Sequence, residues 1–461
     1  MKKNYHSRLI QGLLIVVISF SGSFFKHLEA SPVIEKVLKG ERPPINISLV
    51  PDQAFEQGII RIKFSKALEN HLDNTIIASN PDGTVRFGIA AIDLLNQQYG
   101  VIQVKKTFDV VLMNTQFNDR HRQWEFHLWY DLIIPEGTDI RSMVQSYSAQ
   151  REIQLSEPVY RKQLVAADIN PLQSFVPSVG NPAVNYVPND PRFGEQWHYN
   201  NTGQQGGTPD ADIDLPEAWE ITKGSSDVIV AVIDQGIEYT HTDLVANMWP
   251  TNGYNFVNNN TTIIPGNHGT HVAGTIAGNT NNGLGISGIA GGTGSGNGVR
   301  LMSCQVFIEG GSNGGFQNAP IWAADHGATI SQNSWGYTSV GVYDQAVLDA
   351  IDYFNLHGGG TVMSGGITIF AAGNSNLSGL WYPGCYANCF SVAATGNQDL
   401  KAWYSNFDTW VDISAPGGET NTVAERGVLS TLLGNTYGFY QGTSMACPHA
   451  SGVAALILSL A

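Results

Sequence analysis

Apolar positions change their period twice along the chain. Over residues 58–64 they alternate with polar ones, which predicts a strand with one buried face. Residues 89–99 have helical spacing, with Leu94 and Leu95 assigned to one face. Residues 101–108 and 124–132 read as further strands, 140–148 as a short helix and 152–160 as a last strand. This alternation predicts a small α+β domain with its core at 58–165.

From residue 192 the apolar runs become continuous and β-branched. Residues 228–233 carry no polar side chain, the mark of a strand covered on both faces in a parallel sheet. Similar runs occupy 299–307, 328–331, 368–371 and 390–394. Helical spacing fills 270–277, 319–326, 343–357 and 443–460 between them. The pattern predicts a doubly wound α/β domain, a mostly parallel sheet with helices on both faces. Functional side chains then belong at the carboxyl ends of the strands.

Between the two patterns lies a stretch that fits neither. Pro171, Pro177, Pro182, Pro188 and Pro191 keep it extended, so 170–191 is expected to be a linker. At the other end, Lys2, Lys3 and Arg8 precede an apolar run over 13–20, with a small-residue exit near Ala30. That is the build of a secretory signal, and the run is shorter than the roughly 20 residues of a bilayer span. Residues 1–30 are expected to be removed, leaving a secreted or cell-envelope protein with no stable membrane span.

Composition narrows the partners. The formal net charge of −15 argues against nucleic acid and anionic membranes. Hydrophobic residues make up 42% and charged ones 14%, which places the chain among globular proteins. Of the cysteines, Cys385 and Cys389 are close enough in sequence for a small bridge, whereas Cys304 and Cys447 read as buried thiols.

Three short blocks carry the chemistry. Asp234 follows the buried run in Val230-Ala-Val-Ile-Asp-Gln-Gly236. His268 opens a helix in Asn267-His-Gly-Thr-His-Val-Ala-Gly274, and Ser444 opens another in Gly442-Thr-Ser-Met-Ala-Cys-Pro-His449. A serine hydroxyl is a weak nucleophile and needs an imidazole to take its proton. A carboxylate must then hold that imidazole in one tautomer. Singly, each residue reads as a turn, a surface donor or a cap; in this order and spacing the three blocks resemble those of the subtilisin-like serine proteases, the subtilases.

The resemblance covers 190–461 and implies several roles. Asn374, in Ile369-Phe-Ala-Ala-Gly-Asn374, matches the amide that donates to the oxyanion. Ser334-Trp335-Gly336 matches the edge that pairs with an extended peptide, and Ala371 to Gly373 the wall of the pocket beside it. Asp243 and Asn282 match positions that hold a structural calcium in many members. No cofactor is implied for catalysis. Residues 31–169 resemble the family's propeptide, expected to act as folding aid and intramolecular inhibitor until it is cut within the proline-rich linker. Gln235 and Cys447 depart from the family pattern, and the catalytic domain, 192–461, is expected to be truncated, since members continue beyond the helix that Ser444 starts.

Two other readings compete with a secreted endopeptidase acting on proteins or peptides. Gly310-Gly-Ser-Asn-Gly314 satisfies the nucleophile elbow of an α/β-hydrolase esterase with Ser312 as nucleophile, and His357-Gly-Gly-Gly360 mimics its oxyanion motif but follows the serine. A catalytically silent binding protein on a protease fold is the other.

Overall fold

The run ending at Asp234 becomes Ile229–Gln235, an inner strand of a seven-stranded parallel sheet. Across the sheet the order is Met248–Asn255, Arg300–Phe307, Ile229–Gln235, Ile330–Asn333, Ile367–Ala371, Phe390–Thr395 and Ile413–Pro416. A computed structural model describes residues 42–165, 167–170 and 186–461. The expected signal segment and residues 171–185 of the linker lie outside them. Ile45–Ala461 packs as one unit.

Chain order reverses beside Ile229–Gln235, whose two neighbours come later in the sequence. That leaves a crevice at its carboxyl end, where a doubly wound sheet binds ligands. The helices Asn267–Ala277 and Thr443–Leu458 pack against each other, and both reach the sheet. The expected strands and helices are all present, with ends moved by a few residues. Residues 328–331, for instance, become Ile330–Asn333. The edge strands Met248–Asn255 and Ile413–Pro416 and the hairpin Val428–Leu432/Thr436–Gln441 were not expected. The first contains Pro250 and Gly253, and the second is four residues long, so neither presents a β-branched run.

The N-terminal region forms a four-stranded antiparallel sheet in the order Gln103–Lys106, Trp129–Ile133, Phe55–Phe64, Ile153–Tyr160. The helix Ile140–Ser148 packs on the last two and touches Ala90–Tyr99. Two expectations fail locally. Leu94 is 65% exposed and Leu95 8%, because consecutive helical residues point about 100° apart and cannot share a face. The strand expected over 124–132 begins only at Trp129, since residues 118–123 are helical and 126–128 form a 3₁₀ turn.

This sheet docks on the helices Ala319–Asp325 and Gln345–His357. Asp325 accepts from the Tyr353 hydroxyl at 2.6 Å and meets His121 Nε2 at 2.8 Å. Trp124 Nε1 donates to His357 Nε2 at 3.0 Å, and the Gln345 N–H to Glu157 at 2.8 Å. Burial pushes His357 down to about 4, helped by the charge of Arg120. A depressed imidazole contributes stability that is present above its ordinary value near 6.5 and lost as pH falls toward 4. Trp124→Phe, which deletes the donor, should therefore cost about 1 kcal/mol at pH 7 and less at pH 4. Urea unfolding of parent and variant at the two pH values checks it, and an equal loss at both would contradict the assignment.

Candidate active site

Asp234 stands at the carboxyl end of Ile229–Gln235 with its side chain fully buried. Its Oδ1 accepts from the Gln235 N–H at 2.6 Å and faces His268 Nδ1 at 2.7 Å. Since the carboxylate can only accept, the ring carries its proton on Nδ1 and presents the Nε2 lone pair. Gln235, the departure from the family pattern, ties the strand to the helix that bears the imidazole. Its Oε1 accepts from the His268 N–H at 2.9 Å, within the first helical turn. A Cβ on Gly266 would lie 2.3 Å from that oxygen, so the side-chain bridge requires glycine there.

Ser444 lies in the first turn of Thr443–Leu458, which also contains Pro448. Proline has no N–H, so the Ser444 carbonyl loses its intrahelical donor. The Ser334 hydroxyl replaces it, donating at 3.0 Å. Ser334 is held in turn by Gln332 Nε2 at 2.7 Å. Gly442, at φ +143°, precedes the helix; a Cβ there would meet Asn374 Nδ2 at 3.0 Å, inside the site itself. Asn374 is oriented by Thr443, whose N–H and hydroxyl both donate to its Oδ1, at 2.9 and 2.8 Å. Its Nδ2 must therefore point the other way, into the cleft.

What meets that amide is the chain's own backbone. The Val165 carbonyl oxygen accepts from Asn374 Nδ2 at 2.9 Å and from the Ser444 hydroxyl. The Val165 N–H donates to Ser334 O at 3.0 Å. Upstream, Lys162–Leu164 runs antiparallel to Trp335–Tyr337, with Gln163 opposite Gly336. Downstream, Ala167–Asn170 pairs with Thr436–Gln441. The pocket under Val165 is lined by Gly336, Ala371, Gly373, Asn374 and Tyr382 among others. One triad contact is not made: Ser444 Oγ turns to the Val165 carbonyl, and His268 Nε2 has no hydrogen-bond partner among the described residues.

The sequence-expected residues thus fall into two groups. Ser444, Asn374, Ser334, Trp335 and Gly336 meet the strand that ends at Val165, Ala371 and Gly373 line the pocket beside it, and Asp234 and His268 pair with each other. Asp243 and Asn282 meet each other instead. Asn282 Nδ2 donates to Asp243 Oδ1 at 2.9 Å and the Ile286 N–H to Oδ2 at 3.0 Å. The Leu284 N–H, donating to Asn282 Oδ1 at 2.8 Å, prevents the amide from flipping. In this arrangement Asn282 presents its amide nitrogen, not its oxygen, to the Asp243 carboxylate, and the two side chains meet as a hydrogen-bonded pair. Cys385 and Cys389 are free thiols, not a bridge, and burial pushes the Cys385 thiol up to about 12. Ser312 is exposed in the turn after Arg300–Phe307, while His357 is engaged by Trp124, so the esterase elements are not assembled.

A carboxylate at the end of a parallel strand, an imidazole and a serine in the first turns of two helices, an amide donor and a backbone-pairing edge define a class. The subtilase family model matches residues 225–461, and the chain belongs to that family. The thermophilic serine proteinase of Bacillus sp. (strain AK1) is 36% identical over 285 residues, covering 60% of this chain and 64% of that protein. Thermitase of Thermoactinomyces vulgaris is 34% identical, covering 59% of this chain and 86% of its own length. The crystal structure of fervidolysin from Fervidobacterium pennivorans shares the fold at a TM-score of 0.60 and 24% identity, over 89% of this chain and 56% of that one. Against the first of these proteins and against fervidolysin, then, the chain spans less than two thirds of the length.

Val165 and the Gln235 bridge escaped the sequence reading. The only sequence signal for Val165 is a short apolar stretch before two alanines, which is common.

Proposed function

We propose that the chain is the precursor of a secreted serine endopeptidase and that its first substrate is its own Val165–Ala166 bond. The observation that carries this reading is the Val165 carbonyl, held by the Asn374 amide beside the Ser444 hydroxyl. The propeptide then ends at Val165, upstream of the proline-rich stretch expected from sequence to hold the cut.

His268 takes the proton as Ser444 Oγ adds to the Val165 carbonyl carbon, and Asp234 stabilises the imidazolium. Asn374 Nδ2, with the Ser444 N–H at the helix start, receives the oxyanion. The carbon–nitrogen bond breaks as His268 returns the proton to the departing amine of Ala166. Water, deprotonated by His268, then hydrolyses the acyl ester and restores Ser444. No cofactor enters any step. After cleavage the new carboxylate at Val165 stays at the end of a paired strand, so the N-terminal domain remains as an inhibitor until it dissociates. The signal-like N-terminus supports export.

The intact mass of the purified chain and the N-terminal sequence of its larger product test the reading, with Ala166 expected as the new first residue. Asn374→Ala should slow its appearance by roughly 10²–10³-fold, the usual loss of one oxyanion donor. A first residue between 171 and 191 would instead favour the linker, and a folded chain that never reacts with a fluorophosphonate would favour a silent binding protein.

A further inference from the structure

Lys162 is four residues before the proposed scissile bond, counting back from Val165, and its side chain does not reach solvent. Its Nζ donates to Asp344 Oδ2 at 2.5 Å and to the Tyr160 carbonyl at 2.8 Å. The ammonium lies 4.9 Å from the Tyr337 ring centre and 5.2 Å from that of Phe316. The two charged side chains are 4% and 1% exposed. Lys162 comes from the strand that fills the cleft; Asp344, Tyr337 and Phe316 come from the catalytic domain. The register fixes this meeting, because Lys162 stands opposite Tyr337 just as Leu164 stands opposite Trp335.

Asp344 occupies the N-cap position of the helix Gln345–His357 yet makes no side-chain capping bond. An Asp at that position ordinarily accepts from the first-turn N–H groups. Here Glu157 of the N-terminal domain takes the Gln345 N–H, and the Asp344 carboxylate is turned to the cleft. The Tyr337 hydroxyl accepts from the Asp344 N–H at 2.9 Å and steadies the residue. Its remaining partners leave with the N-terminal domain: the Tyr160 N–H at 3.0 Å and Arg61 Nη1 at 3.7 Å. What stays around the place of the ammonium is one carboxylate and two aromatic rings, a combination that suits a cation by ion pairing and by the ring quadrupoles.

We propose that Asp344 is a specificity-determining residue, and that the enzyme selects proteins and peptides with lysine or arginine four residues before the scissile bond. This rests on the reading of Lys162 to Val165 as the substrate strand. A neutral side chain in the same place would leave the carboxylate without its counter-charge, and an acidic one would repel it.

The test uses the processed enzyme and four quenched fluorogenic peptides, X-Gln-Leu-Val-Ala-Ala, with X as Lys, Arg, Met or Glu. Lysine and arginine should exceed methionine by about tenfold or more in kcat/KM, with glutamate slowest. Asp344→Asn should bring lysine and methionine within about twofold of each other, and Asp344→Glu should keep the order. Should Asp344→Asn fail to fold, the wild-type ranking still decides. Equal rates for all four peptides would overturn this inference alone. Hydrolysis of none would overturn the cleft reading on which it rests.

Discussion

Ser444→Ala in the full 461-residue chain is expected to leave the Val165–Ala166 bond uncut, so that the protein accumulates as a folded precursor. Removing the nucleophile from such a triad lowers kcat by roughly 10⁶, because imidazole and carboxylate have nothing to activate. The variant should still fold. The Ser444 hydroxyl donates to the Val165 carbonyl and, at 3.3 Å, to Ser334 O. Val165 keeps the Asn374 amide, and Ser334 O keeps the Val165 N–H at 3.0 Å. Intact mass and gel mobility read the outcome directly. A variant that is cut at Val165 as fast as the parent, in the absence of any other protease, would dispose of the assignment. Adding processed wild-type enzyme should release the N-terminal domain slowly, since the bond is already sheltered in the variant's own cleft.

The doubly wound α/β domain was legible because its strands are buried on both faces. Val230 to Ile233 had to be continuous and apolar, and Asp234 had to end that run to reach the crevice. Elements with only one covered face, or none, left weaker marks. Trp335–Tyr337 became a strand because a peptide lies beside it, a fact that no local pattern encodes. The same holds for Lys162 to Val165, which alternate too briefly to be read and whose partner strand lies some 170 residues downstream. The proposed catalytic residues stood out by type and order; the substrate-like strand did not, because pairing across that distance is set by tertiary packing. Leu94 failed for a different reason. Helical spacing was read from two adjacent leucines, whereas a face is built from residues three and four apart.

Arg61→Met should be the most damaging substitution at the seam between the two domains, because the guanidinium is the hub of a buried charge cluster. Its side chain is 3% exposed; Nε pairs with Asp131 at 2.7 Å, and Nη1 lies 3.7 Å from Asp344 and 4.0 Å from Glu157. Burial alone would lower its pKa, but the three carboxylates outweigh that and hold the arginine charged. Methionine matches its length and leaves the carboxylates behind: Asp344 retains Lys162, and Asp131 retains the Thr107 hydroxyl at 2.7 Å. Removing one partner of a buried ion pair typically costs about 3–5 kcal/mol. In the Ser444→Ala background, where the two domains stay joined, urea unfolding should show that loss at pH 8. The pH dependence supplies a second check. Burial and the neighbouring charge of Asp344 push Glu157 up to about 8, above its ordinary value near 4.5. A carboxyl raised in this way contributes stability that is full below about 4.5 and lost as pH rises through about 8. Without Arg61 to favour the charged form, Glu157 should be driven higher still, so the penalty should shrink at pH 5, where Glu157 is protonated with or without the arginine. A loss below 1 kcal/mol at pH 8, or one that grows on acidification, would mean that the cluster does not hold the N-terminal domain in place.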